Sequence, residues 1–380
     1  MPASGQRGTQ AMVTRRGMLG GTAMAAAVVA GPASAAIKTR KLLPRFGPAP
    51  GDAHLVYNEN PYGPAPSALR AMADGAAQGC YYADDIEPQL IAMIASRHGV
   101  APNQVVLGNG SSELLAAAHI VAGRKGPILA PALTFDEVLL LTAAQGIAFQ
   151  SVPLAPDMGI DLVAMAAASG SAGLVYLCNP NNPTGLMLEP ATLRGFIANV
   201  SPYSTVLVDE AYLELADNPE AHGLDDLVRS GANLILTRTF SKLHGLAGLR
   251  IGYALGPAPL IAAMKAARTT IGLSSAGLAA AIASYDDLDF VRYSRGRIIA
   301  ARQILLGAAA KAGVRALPSQ ASFVLIEVPD ANRLQAAMAT RGIRIRSSYG
   351  PAFARWSRVS TGRIADVQRY ADALPMLLGS

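Results

Sequence analysis

The chain has 380 residues, of which 51% are hydrophobic and 15% are charged, a balance that predicts a globular protein of one large or two ordinary domains. Its formal net charge is +6, and Arg7, Arg15 and Arg16 supply three of these charges in the first 36 residues, which contain no Asp or Glu, leaving +3 for the rest. This small surplus, without any basic run interleaved with aromatic residues, argues against nucleic-acid binding.

Residues 1–36 have the order of an export signal, with charged, apolar and small residues in succession. The pair Arg15-Arg16 precedes a glycine- and alanine-rich run, Gly17 to Ala30, and resembles a twin-arginine (Tat) signal, which directs folded proteins to export. We therefore expect a periplasmic or secreted protein that uses the Tat export machinery, or a cytoplasmic one if translation starts at Met18. No other run reaches about 18 apolar residues, so we expect no transmembrane helix.

The next segments predict two domains. Residues 37–75 indicate a polar, proline-rich N-terminal arm outside the core that ends in a helix after Pro66. Helical and apolar strand patterns then alternate, which predicts an α/β large domain over residues 76–265 with a mostly parallel central sheet and helices on both faces. Residues 266–380 predict a smaller α+β C-terminal domain that begins with a long helical region, about 275–313.

Cysteine and histidine give no sign of a metal site. The five histidines are scattered, and none lies three to five residues from another. Cys80 and Cys178 allow one disulfide at most, and Cys178 lies in an apolar run that predicts a buried strand. A buried free thiol is therefore the expected state of Cys178.

Polar residues follow the predicted strands, and ligands of such sheets bind beyond the carboxyl ends of the strands. The segments are Gly108–Glu113, Asn179–Gly185, Asp209–Tyr212 and Thr239–Lys242. The first is suited to an anion at a helix start, although glycine is also common in ordinary strand-to-helix turns. A carboxylate such as Asp209 needs a cation or several donors unless it caps a helix. An amine such as Lys242 can form a Schiff base if its pKa is lowered.

Together these segments offer partners for a phosphate, an aldehyde and a ring nitrogen, and pyridoxal 5′-phosphate (PLP) needs all three. The motifs "NENPYGP", "YADD", "GNGSSE", "NPNNPTG", "DEAY", "SKLHGLAGLRIG" and "SRVSTGR" occur in the order found in fold type I PLP-dependent aminotransferases of class I/II. The chain is most similar to histidinol-phosphate aminotransferases, over nearly all of its length after residue 36. The resemblance implies amino-group transfer between an amino acid or amine, such as histidinol phosphate, and a 2-oxo acid.

The resemblance also implies roles for residues around the cofactor. Lys242 would hold the cofactor aldehyde and carry the proton, and Asp209 would face the ring nitrogen. Tyr212 and Asn182 would donate to the ring hydroxyl. The remaining cofactor contacts in this chain would come from Ser111, Ser112, Phe135, Thr239, Ser241 and Arg250.

Substrate and partner contacts follow from the same resemblance. Arg358 would clamp the substrate carboxylate bidentately. Asn182, Tyr62 and Arg346 fall at positions that contact the substrate. Tyr82 would reach the cofactor phosphate of a neighbouring subunit, which implies a homodimer with shared active sites.

Three positions depart from the family pattern. Ser112 replaces an aspartate, Phe135 replaces a tyrosine, and Tyr81 stands where the family has the arginine of "Arg-Tyr-Pro". The export signal also contrasts with the cytoplasmic place of histidine synthesis. Two alternatives therefore stay open. One is an exported PLP-dependent enzyme that eliminates or cyclises an amino acid or peptide, and the other is a non-catalytic periplasmic binding protein.

Overall fold

The computed structural model describes residues 46–270, 272–347 and 349–379. The predicted export signal, residues 1–36, lies outside the described residues. Pro48–Ser380 forms one compact unit that is not divided further, so the domain boundary predicted near residue 265 stays a prediction. In the described ranges, no helix is long and apolar enough to cross a membrane.

Seven of the strands in the described residues form the central sheet, and the other four form two small sheets. In chain order the strands are β1 Ala53–His54, β2 Val105–Asn109, β3 Ile128–Pro131, β4 Phe149–Val152, β5 Leu174–Cys178, β6 Thr205–Asp209, β7 Leu234–Thr239, β8 Ile251–Leu255, β9 Phe323–Glu327, β10 Ile343–Arg344 and β11 Trp356–Ser360. The two small sheets are β1-β10 and β9-β11. The central sheet has the order β2-β8-β7-β6-β5-β3-β4. Neighbours from β7 to β4 are parallel, and β8 runs antiparallel to both β7 and β2. The sheet is mostly parallel, as predicted.

Helices cover both faces of this sheet. They are α1 Pro66–Ala77, α2 Glu87–His98, α3 Ser111–Gly123, α4 Glu137–Ala143, α5 Leu162–Ala168, α6 Pro190–Val200, α7 Asp225–Arg229, α8 Ala258–Ala267, α9 Ser275–Tyr285, α10 Leu288–Lys311, α11 Ala331–Ala339 and α12 Ile364–Leu378. Val206 and Val208 pack on one face, in the cluster that contains α1, α2, α5, α6 and α9. Leu207 packs on the other face with α3, α4 and α8. This alternation confirms the predicted two-sided burial.

The long helical region expected at about 275–313 is confirmed and consists of two helices, α9 and α10. Asp287 is the N-cap of α10, and its side chain accepts a hydrogen bond from the Phe290 amide at 3.0 Å. One strand of the sheet was missed. Strand β8, which follows the motif that contains Lys242, was not predicted, because that motif was interpreted from the chemistry of its side chains and not from an alternation of apolar and polar residues.

Part of the predicted arm, around β1, belongs to the core rather than lying outside it, whereas residues 46–51 are exposed. Strand β1 pairs in parallel with β10, and the Leu55 amide donates to the Arg344 carbonyl at 2.9 Å. Ala53 and Leu55 are completely buried against α10 and α12. Ala53 and Leu55 are buried because they lie on either side of His54 in an alternating segment, so their side chains point to the same face, against α10 and α12.

Candidate active site

The four polar segments meet at one cavity of about 230 Å³ at the carboxyl ends of β5, β6 and β7. Parallel strands bring these ends to the same edge of the sheet, although the segments are far apart in the chain. Ten of the eleven residues that the resemblance implied for the cofactor line the cavity, namely Ser111, Ser112, Phe135, Asn182, Asp209, Tyr212, Thr239, Ser241, Lys242 and Arg250.

Asp209 is the last residue of β6, and its side chain is only 3% exposed. Burial raises the pKa of this carboxyl to about 6, although the Thr237 hydroxyl donates to it at 3.0 Å and the charge of Lys242 acts in the opposite direction. No Lys or Arg of the described chain lies within 4.0 Å of it. The helix N-cap alternative is wrong, because the next helical turn begins only at Leu213. Asp209 is therefore a buried carboxylate that lacks a cation.

Lys242 follows β7 and presents its amine to the same cavity. Its Nζ donates a hydrogen bond to the Tyr57 carbonyl at 3.1 Å and lies 5.7 Å from the centre of the Tyr212 ring. Burial, helped by the positive charges of Arg358 and Arg250, lowers the pKa of Lys242 to about 8. About a tenth of this amine is consequently neutral at pH 7, which is the form that attacks a carbonyl.

An anion site lies at the first turn of α3. Gly110 precedes that helix at a φ of 76°, and a Cβ there would lie 2.2 Å from the Arg250 side chain, so glycine is required. The Arg250 guanidinium donates to the Ala247 carbonyl at 3.0 Å, and no carboxylate of the described chain pairs with it. The free N–H groups of the helix start, this cation and the Ser241 hydroxyl together suit a phosphate.

Arg358, in the middle of β11, is a second cation without an acidic partner. It is 3% exposed, and its guanidinium donates to Asn182 Oδ1 and to the Val56 carbonyl, both at 2.6 Å. Its Nε has no hydrogen-bond partner. Burial lowers the pKa of this guanidinium, but arginine stays charged. Because a buried charge is costly without a counter-charge, this site is suited to a ligand carboxylate.

Tyr212 is held so that its hydroxyl faces the cavity. The hydroxyl accepts hydrogen bonds from Asn58 Nδ2 at 3.0 Å and from Asn182 Nδ2 at 3.5 Å, and the ring packs edge-on against Phe323. Burial raises the pKa of Tyr212, so the group stays a neutral donor. The role of Asn58 was missed in the sequence, although it belongs to the "NENP" motif. Glu59, from the same motif, also lines the cavity.

Four predicted residues are not in the wall of this cavity: Arg358, which reaches it through Asn182, and three others. The Tyr82 side chain is 89% exposed and does not line the cavity of its own chain. Tyr62 is partly buried, and its hydroxyl accepts a hydrogen bond from the Ile364 amide at 3.1 Å. Arg346 pairs with Glu137 at 3.7 Å and its backbone bridges to Arg358. The contacts predicted for these three residues with substrate or a neighbouring subunit stay predictions.

The donor set of the cavity fits pyridoxal phosphate. A buried carboxylate without a cation suits a protonated ring nitrogen, an amine of lowered pKa suits an aldehyde, and a helix start with an unpaired arginine suits a phosphate. Within the described residues, no group of three or more His, Cys, Asp or Glu side chains could hold a metal ion. Cys80 and Cys178 both carry free thiols, and Cys178 is buried, as predicted.

Residues 53–374, which include every residue of the cavity, match the family model for aminotransferase class I and II. A histidinol-phosphate aminotransferase of Akkermansia muciniphila is 33% identical over 328 residues, which cover 85% of this chain and 89% of that protein. One of Gluconacetobacter diazotrophicus is 37% identical over 336 residues, covering 85% and 91%. The crystal structure of the Sinorhizobium meliloti histidinol-phosphate aminotransferase in complex with pyridoxal 5′-phosphate has a TM-score of 0.80 and 32% identity, and the match covers 89% of this chain and 95% of that one.

Proposed function

The chain belongs to the aminotransferase class I and II family and is a PLP-dependent aminotransferase, and from that premise we propose that its amino donor is an amine of the histidinol-phosphate type and its acceptor a 2-oxo acid. The observation that carries the proposal is the single cavity in which Lys242, Asp209 and Arg250 converge. Relatives that are 33% and 37% identical and named histidinol-phosphate aminotransferases support the donor. They give no support to elimination, cyclisation or non-catalytic binding.

Bound pyridoxal phosphate supplies an aldehyde that reacts with amines and a ring that withdraws electrons from the carbon bearing the amino group. Lys242 Nζ supplies the base, because its lowered pKa leaves a neutral fraction that can accept a proton from the substrate carbon and return it. Asp209 stabilises positive charge on the ring nitrogen, since its buried carboxylate has no other cation in the described chain. Tyr212 and Asn182, which line the cavity, would hold the ring of the bound cofactor.

Arg358 supports the exchange between the two substrates. The 2-oxo acid carries a carboxylate beside the reacting carbon, whereas a histidinol-phosphate-type donor carries a phosphate ester on that side, and a guanidinium binds either anion through two parallel hydrogen bonds. Asn182 already fixes the guanidinium at 2.6 Å, so the arginine is oriented before substrate arrives. We expect the phosphate end of a histidinol-phosphate-type donor to approach Arg346 as well, because the backbones of Arg346 and Arg358 form an antiparallel bridge.

The direct test is a donor survey with PLP-loaded protein. Histidinol phosphate and 2-oxoglutarate should give glutamate in equal amount to the donor consumed, with a higher kcat/KM than phenylalanine or tyrosine gives. Omission of 2-oxoglutarate is the control and should stop turnover after one equivalent. Release of ammonia without glutamate would support elimination instead. Failure of every donor to form glutamate would contradict the assignment.

We further propose a homodimer in which each subunit completes its neighbour's site. Tyr82 supports this, because a tyrosine side chain that is 89% exposed lies in the "YADD" motif and does not line the cofactor cavity of its own chain. Mixing Lys242→Ala subunits with Tyr82→Ala subunits is the test. Mixed dimers should regain one complete site, and therefore part of the activity. A monomer in sedimentation, or no recovery in the mixture, would contradict the proposal.

Export by the Tat route is also a proposal, since residues 1–36 lie outside the described part of the chain. It is supported by Arg15-Arg16, by the weakly apolar run that follows, and by the need of a PLP enzyme to bind its cofactor before leaving the cytoplasm. Replacing both arginines by lysine should retain the protein in the cytoplasm, uncut. Wild-type protein that itself stays cytoplasmic and full length would contradict export and would favour a role in histidine synthesis.

A further inference from the structure

A second cavity of about 330 Å³ adjoins the cofactor cavity and has no part in the chemistry described so far. The two cavities share Glu59 and Ala247 in their walls and are therefore neighbours, and we call the second cavity the vestibule. A substrate whose amino group reaches Lys242 has room in this direction for the rest of its structure. Glu59 stands at the junction between the two spaces.

The backbone on both sides of Glu59 is fixed. Asn58 adopts a φ of 57°, and its amide donates to the Ser360 hydroxyl at 2.9 Å. Asn60 is buried and donates to the Leu243 carbonyl, next to Lys242, at 2.7 Å. These anchors fix the backbone of Glu59 and therefore the point from which its side chain extends.

Close packing joins the same segment to the loop that carries Lys242. A Cβ on Gly63 would lie 2.8 Å from the Gly245 Cα, and a Cβ on Gly245 would lie 2.6 Å from the Gly63 Cα. Side chains are therefore excluded at this crossing, and the Glu59 segment and the lysine loop form one rigid wall. Movement of one against the other would require separating two backbones in contact.

The carboxylate of Glu59 retains capacity for a ligand. Its side chain is about half exposed, and its ion-pair contact in the described chain is to His54 Nε2 at 3.4 Å. The other vestibule carboxylates differ, because Asp52 accepts from Arg344 Nε at 3.0 Å and Asp366 lies 3.9 Å from an Arg369 nitrogen. The vestibule also contains one further cation, Arg363, which forms no ion pair within the described residues.

We propose that Glu59 is a specificity-determining residue that accepts a hydrogen bond from an N–H group on the side chain of the amine donor, such as the ring N–H of an imidazole. The inference rests on the proposed function and adds to it the group that is recognised. A carboxylate on a fixed backbone, with an oxygen available for a hydrogen bond, stabilises a donor that carries such an N–H. It gives no advantage to a phenyl ring of similar size, which has no polar hydrogen. A charge-assisted hydrogen bond of this kind corresponds to a factor of about ten or more in affinity.

The test uses PLP-loaded protein and two ligands that lack an amino group and therefore do not react, 3-(imidazol-4-yl)propionate and 3-phenylpropionate. Both offer Arg358 a carboxylate, and they differ in the ring N–H. By calorimetry, Glu59→Gln should weaken the imidazole ligand about tenfold and change the phenyl ligand less than twofold. Asp52→Asn is the matched control, since that carboxylate is already paired, and it should change neither ligand.

Equal weakening of both ligands by Glu59→Gln, or no weakening of either, would overturn the role of Glu59. Turnover separates this result from failure of the proposed function. Suppose that the wild type forms glutamate from several amine donors and that Glu59→Gln affects imidazole and phenyl donors alike. The aminotransferase assignment would then stand, and the Glu59 proposal would be contradicted. If the wild type still prefers the imidazole ligand but transaminates no donor, only the proposed function would be contradicted.

Discussion

Asp209 and Glu210 are consecutive residues at the end of β6, and both side chains are only 3% exposed, but they lie in opposite electrostatic surroundings. Asp209 opens into the cofactor cavity and has no Lys or Arg of the described chain within 4.0 Å. Glu210 points to the other side of the sheet, where its Oε2 lies 2.7 Å from Arg238 Nη2. Because neighbours on a strand face opposite sides, two adjacent carboxylates can serve different purposes.

The charges around Glu210 form a closed group. Arg238 also donates to Asp225 at 2.9 Å and contacts the His98 ring at 2.9 Å, and His98 lies 3.2 Å from Asp225. We call these four side chains the paired cluster. Burial alone would lower the pKa of Arg238, but the charges of Glu210 and Asp225 raise it, so the group is firmly charged. Each buried charge of the cluster thus has a counter-charge within the protein.

The active site shows the opposite arrangement, because the buried side chains of Asp209 and Arg358 both lack a counter-charge in the described chain. Buried charges that are paired with each other hold elements together, whereas buried charges left without partners are available to a ligand. The difference teaches that burial alone does not mark a functional group. The completeness of charge pairing separates the two classes, and the following experiments test that separation.

The largest effect is expected for Lys242→Ala. Loss of the proton-transferring amine should lower transamination by at least about 10³-fold, while the free energy of unfolding should change by less than about 1 kcal/mol, since Lys242 pairs with no acid. Borohydride reduction followed by mass measurement should attach the cofactor to the wild type and not to the variant. Substantial transamination by the variant would contradict the assignment of Lys242.

The reverse pattern is expected in the paired cluster. Arg238→Met leaves Glu210 and Asp225 without their shared cation, and breaking such a buried pair destabilises a protein by about 3–5 kcal/mol. Because Arg238 faces away from the cavity, kcat of the folded protein should change less than about threefold. Urea unfolding and steady-state kinetics measure the two quantities.

Arg238→Met/Glu210→Leu is the matched control. It removes both charges of the close pair and should recover part of the lost stability. A double variant as unstable as the sum of its single variants would show that the pair is not coupled. A large loss of kcat in folded Arg238→Met would break the distinction between the two faces of the sheet.

Asp209→Asn should act on the reaction and not on the fold. The loss of a preorganised negative charge raises the barrier by about 2–4 kcal/mol, so the rate of the first half-reaction should fall about 30- to 1,000-fold while the cofactor stays bound. Stability at pH 8 should not fall, because burial raises the pKa of Asp209 to about 6 and its ionised form is disfavoured. Stopped-flow spectra and urea unfolding measure these effects, and a change in rate below about threefold would contradict the role.

Sequence patterns located the cavity because its residues belong to short segments at strand ends. Asp209 and Lys242 each follow a buried apolar run, and the rule that such ends meet at one edge of the sheet brings them together without further information. Family resemblance then supplied Arg358, which lies on a different sheet and which no local pattern connects with the cavity.

The paired cluster could not be predicted in the same way. Arg238 and His98 are 140 residues apart and carry no motif, and an arginine within a strand is expected to be exposed rather than buried. The burial of Ala53 and Leu55 was missed for a similar reason, because a two-residue strand is shorter than any periodic pattern. Contacts fixed by tertiary pairing alone, without local chemistry, therefore become visible only in the structure.

The smallest effect concerns acid stability and tests whether the paired cluster acts through ionisation. Burial opposes ionisation of Asp225, but its hydrogen bond to His98 and the charge of Arg238 outweigh burial and lower its pKa to about 2. The unfolded value is about 3.9, so this carboxylate stabilises the fold fully above pH 4 and stops doing so as the pH falls to about 2. The contribution is about 2 kcal/mol, because each pH unit of separation corresponds to 1.36 kcal/mol.

Urea unfolding of wild type and Asp225→Asn between pH 5 and 2 measures this contribution. The wild type should be the more stable protein at pH 5, and its advantage should shrink by about 2 kcal/mol towards pH 2, since protonation removes the charge that the variant lacks throughout. Burial lowers the pKa of His98, which therefore titrates below 6.5 and adds its own loss of stability. The same comparison in a His98→Gln background removes that second titration together with the His98 hydrogen bond that helps to lower the pKa of Asp225, so the shrinkage should become smaller while the charge of Arg238 preserves part of it. If the difference in unfolding free energy between wild type and Asp225→Asn stays constant over this range, Asp225 has the same pKa in the folded and unfolded chains. The ionisation of Asp225 would then contribute nothing to stability, and only its hydrogen bonds would.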